Sequence, residues 1–91
     1  MIMVSKNPWS VLKYPYMTEK SLGMVERENK IVFVVDTKAD KKQIKEAFEK
    51  VFEVKVAKVN TEIMLSGEKK AFIKLKPEFK AADVAVKLGM V

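Results

Sequence analysis

Between Lys69 and Leu75, apolar Ala71, Ile73 and Leu75 alternate with Lys70, Phe72 and Lys74. Period two is the mark of a strand with one buried and one wet face. Ile31 to Val35 reads IVFVV, a continuous apolar run of β-formers, which predicts a central strand covered on both faces. Val54 to Ile63 predicts a longer strand whose phase slips between Val56 and Val59, as at a bulge. A Ser66-Gly67-Glu68 turn joins it to the Lys69 strand in a hairpin, which Pro77 ends. Elsewhere the period is helical. From Asp40 to Phe52, Ile44, Ala47, Phe48, Val51 and Phe52 fall on one stripe, with Lys41, Lys42, Lys45, Glu46, Glu49 and Lys50 opposite. Asp40 caps this helix and Gln43 completes a capping box. Thr18 caps a shorter helix ending near Asn29, with Glu19 in its first turn and Leu22 and Val25 facing inward. Val11 to Tyr14 is a weak strand that Pro15 is expected to stop. Ala81 to Leu88 predicts a last helix with Gly89 as its C′ residue, and residues 1–10 are expected to be loosely held apart from Trp9.

The element order is strand, helix, strand, helix, strand, strand, helix. It predicts an α+β sandwich, with helices on a small antiparallel sheet of three to four strands. The chain has 91 residues, which suits one domain, residues 1–91, with a thin core.

Charge adds a partner class. Lys+Arg number 18 against 12 Asp+Glu, a net charge of +6, which points to a polyanion, most plausibly nucleic acid. A basic protein kept soluble by its lysines is the plainer alternative. Arg27 is the only arginine. Lysines hold phosphates as point charges and do not read base edges bidentately, so backbone and shape recognition is expected.

The absent residue types narrow the chemistry. With no cysteine and no histidine, there is no thiolate site, no imidazole base and no serine–histidine or cysteine–histidine pair. Gly23, Gly67 and Gly89 are too scattered for a phosphate-cradling loop. Glu46 with Glu49, and Asp36 with Asp40, sit among lysines and read as solvated charges. Glu78 reads as a turn residue or a dipole partner of the last helix. No enzyme, cofactor or metal is expected. No stretch is long and apolar enough for membrane insertion, and MIMVSKNPWS does not read as a secretory signal. The expected compartment is the cytoplasm.

Two basic stretches remain. Lys69, Lys70, Lys74 and Lys76 lie on or beside one strand, and Lys55 and Lys58 lie on its hairpin partner. Phe72 either stacks on an unpaired base or ribose or packs beneath a helix. The second stretch, LKYPYMTEKS from Leu12 to Ser21, crowds two tyrosines, a proline and lysines before a helix start. Free N–H groups there suit a phosphate.

Together these stretches resemble the large-ribosomal-subunit protein numbered twenty-three, a universal family of the exit-tunnel rim. VLKYPYMTEKS is similar to its N-terminal signature, in which a basic residue and Pro15 precede Thr18-Glu19-Lys20. KKAFIKL is similar to its C-terminal signature, and VNT at Val59 to Thr61 also fits. The resemblance covers nearly the whole chain in order.

The resemblance implies helices on both faces of an antiparallel sheet, no catalysis, and binding to large-subunit rRNA beside neighbouring large-subunit ribosomal proteins. The rRNA-binding residues it implies are Lys13, Tyr14, Tyr16, Lys20, Lys55, Lys58, Asn60, Thr61, Lys69, Lys70, Phe72, Lys74 and Lys76. It further implies a docking patch at Met17, Thr18 and Glu19 for signal recognition particle and other nascent-chain factors. Glu19 also serves as a first-turn charge. The short TEIMLSGEKK connection resembles the archaeal form. Two rivals are a free-standing RNA module, which lacks its aromatic-rich motif here, and a metabolite-binding regulatory domain, which needs a pocket with convergent polar groups.

Overall fold

The computed structural model describes residues 11–88. The element order is β1 (Leu12–Pro15), α1 (Glu19–Arg27), β2 (Lys30–Val35), α2 (Lys41–Phe52), β3 (Val56–Ile63), β4 (Lys69–Leu75) and α3 (Ala81–Leu88). The four strands form one sheet in the order β1-β2-β4-β3, and every pairing is antiparallel. This matches the predicted order and class. Trp9 and Gly89 lie outside the described residues.

The caps form as their residue types dictate. Thr18 Oγ1 accepts from Ser21 N at 3.1 Å, while Ser21 Oγ accepts from Thr18 N at 2.8 Å. Asp40 and Gln43 exchange the same reciprocal pair, so free N–H groups at both helix starts are satisfied. α1 ends at Arg27, near Asn29 as expected, and Asn29 takes a left-handed backbone at φ 55°. Asn tolerates that region better than most residues. Its side chain then binds three backbone groups. Nδ2 donates to the carbonyls of Leu75 and Phe79 at 3.3 and 2.9 Å, and Oδ1 accepts from Ala81 N at 2.7 Å. One amide thus pins the start of β2, the end of β4 and the start of α3.

Pro15 does not stop the pairing as expected. Pro15 stands opposite Phe33, and Tyr16 N still donates to Val32 O at 2.9 Å. β1 is an edge strand, so a residue without an N–H is tolerated there. The phase slip in β3 is a bulge between Val56 and Lys58. The strand begins at Val56, not Val54, and the Val56 amide at the bulge donates to the Glu49 carboxylate of α2 at 2.8 Å. At the β3–β4 turn, Gly67 N donates to Met64 O and Met64 N donates to Glu68 O, with Gly67 at φ 94°, a region open to glycine.

The sheet's two faces differ. Ile31, Phe33, Val35, Val56, Val59, Ala71, Ile73 and Leu75 form one core with Val25 of α1, Ile44, Ala47, Phe48 and Phe52 of α2, and Ala81, Val84 and Ala85 of α3. Phe33 meets Phe48 edge-on at 6.0 Å between centroids, a favoured aromatic geometry. α2 and α3 both cover this face. The expectation of helices on both faces is met more narrowly, by α1 alone. It gives Val25 to the core and Lys20, Ser21 and Met24 to a cleft on the opposite face.

Candidate nucleic-acid interface

On the face away from α2 and α3, register fixes three cross-strand rows. Lys30 of β2, Lys74 of β4 and Lys58 of β3 stand side by side. The next row is Val32, Phe72 and Asn60. The third is Val34, Lys70 and Glu62, with Tyr14 of β1 beyond Val34. Like charges directly opposite one another cost stability in a sheet, so folding alone gives no reason for three adjacent lysines. Among the described residues one ion pair occurs, Lys30 to Glu28 at 3.2 Å. It leaves Lys58 and Lys74 exposed and without acidic partners. A row of unneutralised ammonium groups on a sheet suits a phosphate backbone.

The middle row supplies an aromatic surface. Phe72 is half-buried, outside the helix-side core, and lines a cleft beside α1. Lys70 Nζ lies over two rings, 4.8 Å from the centroid of Tyr16 and 5.3 Å from that of Phe72, within cation–π range. These groups belong to a cleft of about 240 Å³ lined by Tyr16, Lys20, Met24, Val32, Glu62 and the Lys70–Phe72 pair, among others.

Tyr14 extends the surface to the sheet edge. Its hydroxyl donates to a Glu68 carboxylate oxygen at 2.7 Å. That hydrogen bond, with the carboxylate's negative charge, raises the phenol above its ordinary pKa. The bond ties β1 to the β3–β4 turn across β2.

Not every expected residue shares this face. Thr61 stands opposite Ala71 and Lys69 opposite Ile63, positions of the helix-covered side. Lys69 Nζ donates to Ala39 O at 2.7 Å, fixing the loop before α2. Lys55 and Lys76 are exposed beyond the strand ends, where Lys76 N donates to Lys55 O at 3.0 Å. Lys13 is exposed at the irregularity of β1. Met17, Thr18 and Glu19 are exposed at the start of α1, Met17 at 56%, beside the cleft that Thr18 also lines.

Sequence reasoning passed over Lys30, Glu62 and Met24. Lys30 flanks IVFVV, and only the register reveals its place beside Lys74.

Among the described residues no helix is long and apolar enough to cross a membrane. A family model, Ribosomal protein L23, matches residues 10–90, which span every described element. The match includes both signature stretches and the strands that carry the lysine row. The chain therefore belongs to the ribosomal protein L23 family, as a structural and non-enzymatic constituent of the large subunit of the cytoplasmic ribosome, among ribosomal RNA and other ribosomal proteins.

Proposed function

We propose that the open sheet face is the rRNA-binding surface. Lys58 and Lys74, with Lys30, Lys70 and Lys20 around them, hold phosphates, while Phe72 and Tyr16 offer ring faces to unpaired nucleotides. Asn60, beside Phe72 in register, adds an amide for sugar or base. Lys13, Tyr14, Lys55 and Lys76 border this surface. Thr61 and Lys69 contribute from its helix-side margin. The observation that carries the reading is the Lys30–Lys74–Lys58 row, three cations in register across three strands with one acidic partner among them.

The same reading sets the chain at the rim of the polypeptide exit tunnel. Met17, Thr18 and Glu19 there receive signal recognition particle and other nascent-chain factors. Their exposure at the start of α1 beside the cleft supports this. The tight turn from Met64 to Glu68 supports the short-hairpin, archaeal form.

The test is the salt dependence of binding between the full chain and large-subunit rRNA. Each phosphate contact contributes a log–log slope of about −0.7 to −0.9. A steep slope is expected, shallower by roughly two contacts' worth when Lys58 and Lys74 are both replaced by alanine. An affinity indifferent to salt overturns the reading.

A further inference from the structure

Resting on the rRNA reading, we infer that the cleft beside α1 is a receptor for one unpaired guanine base, with Glu62 as the group that selects it. Three observations converge. First, the cleft holds about 240 Å³, below the roughly 300–1,000 Å³ of drug-sized ligand sites. It suits a single ring system better than a larger metabolite. Second, its walls suit a flat aromatic. The Tyr16 and Phe72 rings both turn a face toward the Lys70 ammonium, and buried Val32 and the Met24 thioether complete an apolar lining. The ammonium stands where a base would stack, and its flexible stem lets it move to that nucleotide's phosphate.

Third, the cleft contains one carboxylate. Glu62 stands exposed opposite Lys70 in register, yet its carboxylate makes no ion pair or side-chain hydrogen bond within the described residues. A carboxylate repels phosphate, so on a surface otherwise built for a backbone it marks the place where something else is read. An ionised carboxylate only accepts hydrogen bonds and can accept two side by side. Of the four RNA bases only guanine presents two adjacent N–H donors on its Watson–Crick edge, N1–H and the 2-amino group. Single-stranded bases are commonly read on that edge. The lysine row continues from the cleft across the sheet, so a splayed guanine and its flanking phosphates find partners on one face.

The experiment uses the full chain with methyl-labelled methionine and follows the Met24 methyl resonance. The ligands are GMP, IMP, UMP and ribose 5-phosphate. IMP lacks only the 2-amino group. GMP is expected to shift Met24 through the ring current of the bound base, with affinity roughly fivefold or more above IMP and UMP, the lower bound for one bidentate contact. Glu62→Gln is expected to erase most of that preference while keeping stacking. Phe72→Leu, which keeps apolar bulk, is expected to weaken all three nucleotides. The inference is overturned if ribose 5-phosphate reproduces the GMP shift, if GMP and UMP bind alike, or if no nucleotide moves Met24. Those outcomes alongside salt-sensitive rRNA binding remove only the guanine receptor. Loss of salt-sensitive rRNA binding removes the reading beneath it.

Discussion

The two faces of β4 are built from alternate residues of one seven-residue strand, yet they face different demands. Ala71, Ile73 and Leu75 are all at most 1% exposed against α2 and α3. Lys70, Phe72 and Lys74 look the other way, partly or fully exposed. The strand opposite teaches the limit of that division. In β2, Val32 and Val34 are as buried as Phe33; Phe72, Lys70 and Tyr14 stand beside them in register, and Met24 of α1 lines the cleft with Val32. The open face is therefore a thin second layer, apolar at its centre and cationic at one end. Folding strength resides on the helix side, and the open side is free to carry charges that folding does not need.

The largest test of that division is Phe48→Ala. Phe48 is fully buried and meets both Phe33 and Phe52. Truncation is expected to cost about 3–5 kcal/mol in denaturant unfolding, a large share of the stability of so small a domain. A loss below that of an open-face substitution such as Phe72→Leu breaks the comparison.

Next in size is Asn29→Ala. It removes three side-chain hydrogen bonds and puts alanine at positive φ, for an expected loss of about 2–4 kcal/mol. Asn29→Gly relieves the backbone alone, so its smaller loss in the same measurement isolates the hydrogen bonds.

The smallest effect belongs to the sheet edge. Hydrogen bonding to Glu68 raises the Tyr14 pKa in the fold. The folded state therefore prefers the neutral phenol. This contribution is fully present below the ordinary tyrosine pKa and is lost as pH rises through the higher folded value. Ultraviolet titration in a Tyr16→Phe background is expected to find Tyr14 ionising above the ordinary value, and Glu68→Ala to bring it back. A midpoint unmoved by Glu68→Ala removes the link.

Much of this division was legible in the chain. Alternation in KKAFIKL separated the faces of β4, the continuous IVFVV run marked the central strand, and the Thr18 and Asp40 caps followed from local chemistry. The β3 bulge showed as a phase slip. What stayed hidden was non-local. Pro15 remains paired because β1 is an edge strand, a property of strand order and not of the residues beside it. Asn29 looked like a mere helix end, since its partners Leu75, Phe79 and Ala81 lie about fifty positions away. Glu49 read as a solvated charge until the bulge brought the Val56 amide to it. Lys69 shares the parity of Ala71 and Ile73, so the alternation already places it on the helix side. The lysine row needed the register of three strands, and the cleft needed the position of α1.

The most direct measurement compares two lysine pairs in one set of preparations. Lys58 and Lys74 are replaced by alanine on the open face, and Lys42 and Lys45 on exposed positions of α2. Denaturation midpoint and affinity for large-subunit rRNA are measured for both. The open-face pair is expected to lose binding with stability changed by no more than about 0.5 kcal/mol, while the α2 pair keeps most of both. Equal losses of affinity from the two pairs would mean that total charge, and not the open face, holds the RNA.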